Sequence, residues 1–197
     1  MSKRTAKISR NTKETKIAVV IDLDGTGEAD ISTGIGFFDH MLEQLAKHSL
    51  IDMMIKADGD LHIDAHHTVE DTGIALGQAL KEAVGDKTGI RRYGHFTLVM
   101  DEARSSVALD LSNRPYLVWD MNFTVDCLGE MDTELFQEFF HALAGAGGIT
   151  LHCVKEAGTN NHHVAESLFK ACAKALRMAV AIDTRAQGQL PSTKGAL

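Results

Sequence analysis

Asp64-Ala65-His66-His67-Thr68-Val69-Glu70 is written a second time in this chain, as Asn160-Asn161-His162-His163-Val164-Ala165-Glu166. From His66 to His162, from His67 to His163 and from Glu70 to Glu166 the step is the same, 96 positions. Upstream of each copy Phe-Phe precedes one more histidine, in Phe37-Phe38-Asp39-His40 and in Phe139-Phe140-His141, and these two histidines are 101 positions apart. A lone His-His-x-x-Glu is more often an accident than a site. Two at a fixed offset, each with an upstream histidine, describe a duplicated chain whose halves build a metal centre together.

The flanking periodicity puts both motifs at the start of long helices, 65–84 and 161–182, with Asp64 and Asn160 at the N-cap places. Shorter helices are expected over 35–47 and 133–146. Strands are expected over 17–23, 51–56, 96–100, 106–111, 116–123 and 149–154, with residues 6–12 as hairpin partner of the first. Each half reads strands, helix, strand, helix. The fold class is therefore α+β with internal duplication, helices covering one face of each sheet. The halves divide as 1–92 and 93–197 within one compact unit, the second ending in the polar tail Pro191-Ser192-Thr193-Lys194-Gly195-Ala196-Leu197.

Helical geometry says how the motifs would bind metal. Residues advance about 100° each, so His66 and Glu70 share a face while His66 and His67 diverge. The same holds for His162, His163 and Glu166. Diverging pairs on two helices call for two ions, each taking one histidine from each pair. Exchange of the halves then gives two sets: His66, Glu70, His141 and His163; and His162, Glu166, His40 and His67. The positive end of a helix dipole disfavours imidazolium, and a ligand histidine must be neutral. Three nitrogens, one carboxylate and open positions suit Mn, Fe or Zn, and a six-coordinate tendency with substrate bound favours Mn or Fe. Gln44 and His48 follow His40 by four and eight residues, so they are candidates to line the same site. His62, His95 and His152 read as ordinary structural histidines.

Composition limits the alternatives. A hydrophobic fraction of 44% over 197 residues supports a real core. Net charge is −7 with no long basic run, which argues against nucleic acid as the main partner. No apolar run approaches the roughly 18 residues of a membrane helix. The basic N-terminus, Met1-Ser2-Lys3-Arg4, lacks the apolar stretch of a signal peptide, so a cytoplasmic protein is expected. Cys127, Cys153 and Cys172 suit free thiols and form no Cys-x-x-Cys. Two other readings of the histidines stay open: a dinuclear metal hydrolase, although the His-Glu-x-x-His order of zinc proteases is absent, and a non-catalytic metal-storage or metal-sensing protein.

Further stretches join the two motifs: Lys13-Glu14-Thr15, Phe38-Asp39-His40-Met41-Leu42, Arg92-Tyr93-Gly94, Met100-Asp101-Glu102-Ala103, Asn113-Arg114-Pro115 and Pro191-Ser192-Thr193-Lys194-Gly195. In this order, over almost the whole chain, they resemble the imidazoleglycerol-phosphate dehydratase family of histidine biosynthesis, in its monofunctional form. The resemblance implies a duplicated fold like the second domain of ribosomal protein S5. It implies a hydro-lyase with two Mn ions per site, assembled as 24 copies with sites between neighbouring subunits. It also implies that both nitrogens of the substrate imidazole are bound to metal, so that the ring passes through an imidazolate as hydroxide leaves. Glu14 would move protons, as could Glu70, Glu166 and His48. Arg92, Arg114, Lys170, Ser192 and Lys194 align with the family's phosphate-binding positions. Lys170 also follows Glu166 by four residues and reads equally as its helix neighbour. Asp101 and Glu102 match the family, and a turn at a strand end explains them as well.

Overall fold

The computed structural model describes residues 3–186 and 188–197; Met1, Ser2 and Gln187 lie outside them. Alternating apolar and polar residues make the central strands. In β2 (Thr15–Asp22) Thr15, Ile17, Val19 and Ile21 are buried, and in β6 (Ala103–Asp110) Ala103, Ser105, Val107 and Leu109 are buried. β1 (Thr5–Asn11) is the expected hairpin partner of β2. With β3 (Ala29–Ser32) and β4 (Asp52–Gly59) they form a sheet of order β1-β2-β4-β3. The second sheet, β5 (Tyr93–Met100), β6, β10 (Thr150–Ala157) and β7 (Tyr116–Asp120), has order β5-β6-β10-β7. In both sheets the first two pairings are antiparallel and the last is parallel. The duplication read in the motifs is thus a duplication of topology.

Four helices complete the α+β fold: α1 (Gly36–Ser49), α2 (His66–Val84), α3 (Leu135–Gly147) and α4 (Asn161–Val180). All start and end within about one turn of the expected limits. The helix α2 lies on the first sheet and α4 on the second, but α1 packs on α4 and α3 on α2. Each helix pair therefore joins the two halves. Phe38, Phe136, Phe139, Phe140 and Phe169, all fully buried, meet at this junction. No described helix is long and apolar enough to cross a membrane. The sequence reading missed β3 and the two-residue strands β8 (Cys127–Leu128) and β9 (Met131–Asp132), which are too short to show a period.

The halves are not copies at one offset. Asp22 and Asp110, ending β2 and β6, are 88 positions apart. Leu50 and Gly148, the left-handed residues closing α1 and α3, are 98 apart. The ten added residues accommodate the β8–β9 hairpin. The histidine pairs are 96 apart because His162 follows the end of β10 by five residues, whereas His66 follows the end of β4 by seven. This corrects one equivalence. At the 98-residue step His40 corresponds to Glu138, and His141 to Glu43. Phe139-Phe140-His141 is therefore no copy of Phe37-Phe38-Asp39-His40. His141 stands three residues further along its helix, on a neighbouring face.

Close approach of α2 to α3 depends on two glycines. A Cβ on Gly73 would lie 2.7 Å from the Phe139 carbonyl oxygen, and one on Gly77 2.6 Å from that of Leu143. Backbone cannot yield as a flexible side chain can, so Gly77→Val must push the helices apart. We expect it to cost about 3 kcal/mol, read as a lower melting temperature. Gly145→Ala, with nothing within 4 Å of its Cβ, should instead gain about 0.5–1 kcal/mol from helix propensity.

Candidate metal centre

Both histidine pairs sit in the first turn of a helix, but the two helix starts differ. The Asn160 side-chain oxygen accepts hydrogen bonds from the backbone N–H of His162 (2.9 Å) and of His163 (3.3 Å), capping α4 as expected. At α2 the cap place falls to Ala65, already helical, and Asp64 accepts only from the His66 N–H at 2.8 Å. The longer connection from β4 thus moves the cap by one residue. The rings of His66 and His67 are 6.1 Å apart at 89°, those of His162 and His163 6.3 Å apart at 86°. Each pair addresses two separate places, as the helical turn requires.

One of those places is a cluster. His40 from α1 meets His162 and Glu166 from α4, with ligand atoms within 4.8 Å of one another, the one such set of three among the described residues. The Glu166 Oε2 is 3.0 Å from His162 Nε2 and 3.4 Å from His40 Nε2, while Lys170 Nζ donates to Oε1 at 2.5 Å. Burial opposes the charge on Glu166, but the donors Lys170, His162 and His40 outweigh it and hold the carboxyl below its usual range. An ionised carboxylate between two imidazoles fits a divalent transition metal. Phe37, read in the sequence only as a motif neighbour of His40, stands edge-on to His162 (5.2 Å) and to His40 (6.5 Å) as an apolar wall. Along α1, His40, Gln44 and His48 form a half-buried stripe beside His162, Glu166 and Lys170 of α4. The basicity of His48 is depressed, chiefly by burial and then by Lys170 and Lys174.

The other histidine of each pair is backed by a carboxylate. His163 Nδ1 lies 2.7 Å from Glu102 Oε2, and its Nε2 is 3.8 Å from Asp101. His67 Nδ1 lies 3.0 and 3.2 Å from the two oxygens of Asp60, and its Nε2 is 3.9 Å from Glu14. An imidazole that gives its Nδ1 hydrogen to a carboxylate presents Nε2 to a metal. The hydrogen bond His67 donates to Asp60 raises the His67 pKa, and the one His163 donates to Glu102 raises the His163 pKa. Glu102 falls in turn to about 2, led by its bond to His163. Glu102 therefore has a partner where the sequence offered only a turn. Asp60 lies in a connection with no periodicity and escaped notice.

The remaining candidates stay apart within one chain. His66 and Glu70 are half-buried on α2 and do not join a third ligand. His141 is exposed beside Pro115, Tyr116 and Leu117 at a cavity of about 430 Å³. Of the set His162, Glu166, His40 and His67, the first three converge and His67 does not; of His66, Glu70, His141 and His163, no three do. A larger cavity, about 730 Å³, is lined by Lys3, Arg4, Asp24, Glu82 and Asp86 and holds none of the repeated histidines. Donor chemistry, rather than the size of a hollow, marks the centre.

The cations divide into two groups. Arg92, buried at φ 71°, places its fork on Asp110 (2.6 and 2.9 Å) and donates to the Pro191 carbonyl at 2.7 Å. Its guanidinium thus ties down the C-terminal turn instead of standing open. Arg114, its side chain 65% exposed, reaches the same Asp110 at only 3.5 Å. The Ser192 hydroxyl accepts from the Lys194 N–H at 3.2 Å and donates to the Ala196 carbonyl at 2.9 Å. Within reach of Asp110, Arg92 and Arg114, Lys87 is buried and its Nζ has no partner among the described residues, a cation that no motif marks. Lys170 is remote from this group. The Arg92 N–H bonds to the Ala179 carbonyl, nine residues and about 13 Å further along α4.

A family model described as imidazoleglycerol-phosphate dehydratase matches residues 33–176. The chain belongs to the imidazoleglycerol-phosphate dehydratase family. The matched stretch contains His40, His141 and both His-His-x-x-Glu motifs, and leaves Glu14, Ser192 and Lys194 outside. The imidazoleglycerol-phosphate dehydratase of Paracoccus denitrificans is 63% identical over 194 residues, 98% of this chain and 100% of that protein. That of Agrobacterium fabrum is 57% identical over the full length of both. Crystal structures of imidazoleglycerol-phosphate dehydratase are also similar. The one from Staphylococcus aureus has 36% identity and TM-score 0.83, covering 91% of this chain and 99% of that one. The one from Pyrococcus furiosus, in complex with (S)-C348, has 37% identity and TM-score 0.84, covering 96% and 100%. As a dehydratase-family member the chain is a hydro-lyase.

Proposed function

We propose that the protein removes water from imidazoleglycerol phosphate to give imidazole-acetol phosphate in the cytoplasmic synthesis of histidine, using two manganese ions per site. The observation that carries this reading furthest is the convergence of His40 and His162 on the buried, ionised Glu166. The carboxylates behind His67 and His163 supply a second support, since they leave each Nε2 facing outward as a donor. One ion would be held by His40, His162, Glu166 and His67, the other by His66, Glu70, His141 and His163. Ligands that a single chain keeps apart would come together between neighbours in an assembly of 24 copies. Light scattering tests this against the 21.4 kDa of one chain.

The ions, when bound, supply Lewis acidity to the substrate imidazole and favour its imidazolate form. The residues do the rest. The carbon beside the ring loses its hydroxyl and the next carbon loses its hydrogen. Glu14, more than half exposed, takes the C–H proton as general base; a proton returned to the departing hydroxyl makes water, and the enol becomes the ketone. Glu70 and Glu166, as residues that would hold the ions, could also carry protons. His48 and Gln44 face the substrate along the α1 stripe. Arg114, Ser192 and Lys194, with Arg92 fixing their loop, receive the phosphate, and Lys170, remote from them within one chain, would reach it from a neighbouring copy.

The deciding experiment incubates the manganese-loaded protein with imidazoleglycerol phosphate. Keto product that disappears with chelator and returns with manganese supports the reading. Full metal content without product sinks it, and release of inorganic phosphate would favour a metal hydrolase. Within this reading Arg114→Ala removes a charged phosphate contact, so KM should rise about 10- to 100-fold. Its kcat and manganese content should stay unchanged; an unaltered KM removes Arg114 from the phosphate site.

A further inference from the structure

Glu14 and Glu102 are the same position of the duplicated half. Each immediately precedes the central strand of its sheet, 88 positions apart like the strands themselves. They have been put to different uses. Glu102 is fixed: one oxygen holds His163 Nδ1, and the other accepts the backbone N–H groups of Thr159 (3.1 Å) and Asn160 (2.7 Å). The carboxylate of Glu14 is the reverse. It has no hydrogen bond among the described residues, its side chain is 54% exposed, and it stands 3.9 Å from His67.

The difference traces to one position after the fourth strand of each half. There the first half has Asp60 and the second Gly158, 98 apart. Asp60 takes the His67 Nδ1, the task that Glu102 performs for His163. Gly158 can bear no side chain: its φ is +132°, and a Cβ would meet Val164 at 2.7 Å and Ala103 at 2.9 Å. The second half therefore has to draft its glutamate into holding the histidine. The first half does not. Asp60 and Glu14 also line one open groove of about 240 Å³ with Thr12 and His62, so Glu14 borders space a ligand can enter.

We propose that Asp60 is a positioning residue whose hold on His67 keeps the Glu14 carboxylate unbound and free to act on substrate, a freedom its counterpart Glu102 lacks. The proposal rests on Glu14 as proton carrier, and a double-mutant cycle separates the two ideas. Glu14→Gln should lower kcat about 10³-fold. Asp60→Ala, measured at saturating manganese, should lower kcat about 10- to 100-fold with KM changed less than about threefold, and weaken manganese binding about tenfold in a direct titration. Asp60→Asn keeps an oxygen to accept the Nδ1 hydrogen, so it should restore kcat to within about threefold of the parent. In the Glu14→Gln background Asp60→Ala should cost less than about threefold, because the carboxylate it would misdirect is gone. Equal losses in both backgrounds, an Asp60→Asn as poor as Asp60→Ala, or an Asp60→Ala with parental kcat would each overturn the proposal while leaving Glu14 in place. A Glu14→Gln with parental kcat would instead remove Glu14 itself, and the proposal with it. Asp60→Ser takes the place of Asp60→Ala should the latter fail to fold.

Discussion

Glu166→Ala is expected to lose activity and stability together, whereas Glu70→Ala loses activity alone. The two residues hold matching places in the repeated motif, so a pure ligand role would give them matching losses. If both hold metal as proposed, removing either carboxylate forfeits several kcal/mol of metal-centred stabilisation, about 10³-fold in kcat/KM. Their surroundings differ. Glu166 is only 6% exposed and carries Lys170, His162 and His40 on its two oxygens. Its removal leaves the Lys170 ammonium, itself one-fifth exposed, with its partner gone, and breaking a buried pair from one side costs about 3 kcal/mol. Glu70 is half-buried and has no such partner among the described residues. Melting of the metal-free proteins separates the two: a clear drop for Glu166→Ala, little change for Glu70→Ala. Equal melting temperatures would show that the Lys170 pair adds nothing to the fold.

On the proposed function, bound manganese should be lost on mild acidification, and the metal-free chain should respond in the opposite sense. His67 and His163 have pKa values raised above the ordinary imidazole value by Asp60 and Glu102. For the metal-free chain a raised histidine pKa adds stability that is complete below about 6.5 and fades as pH rises through the raised value. The Glu102 side of the pair adds stability above the usual carboxylate range that is lost only as pH falls towards about 2. Metal reverses the histidine sign, since coordination needs the unprotonated nitrogen. As pH falls through the raised values, affinity for each ion should drop about tenfold per pH unit for the one such histidine that holds it. The melting temperatures of loaded and metal-free protein should therefore converge, beginning above pH 6.5. A gap that stays constant down to pH 5 would mean that neither His67 nor His163 is a ligand.

The sequence carried the fold well wherever a period could be counted. The apolar faces of α1 to α4 and the alternation of β2 and β6 are long enough to read. The divergence of His66 from His67 followed from helical geometry alone and reappears as ring centres 6.1 Å apart, with only His67 held by Asp60. What escaped notice has a common cause. Asp60 and Lys87 lie in connections, where spacing along the chain says nothing about distance in space. The equation of His40 with His141 went astray because Phe-Phe before a histidine recurs three residues out of register, 101 positions on where the helix ends are 98 apart. Motif spelling suggested a copy that strand register and helix ends do not support. Phosphate candidates were legible as residue types, but not that Asp110 would fill the fork of Arg92.

The helix pairing has a historical consequence. His40 comes from one half and His162 and Glu166 from the other, because α1 leaves its own sheet to lie on α4. An ancestral chain of half this length could not have gathered those three ligands by itself; it would have needed to meet a second copy in solution. Joining the copies in tandem replaced that encounter by a tethered one, at an effective concentration no dilution can lower. Within one tandem chain the two copies need not stay alike, and Glu14 and Glu102 now differ in what they bind.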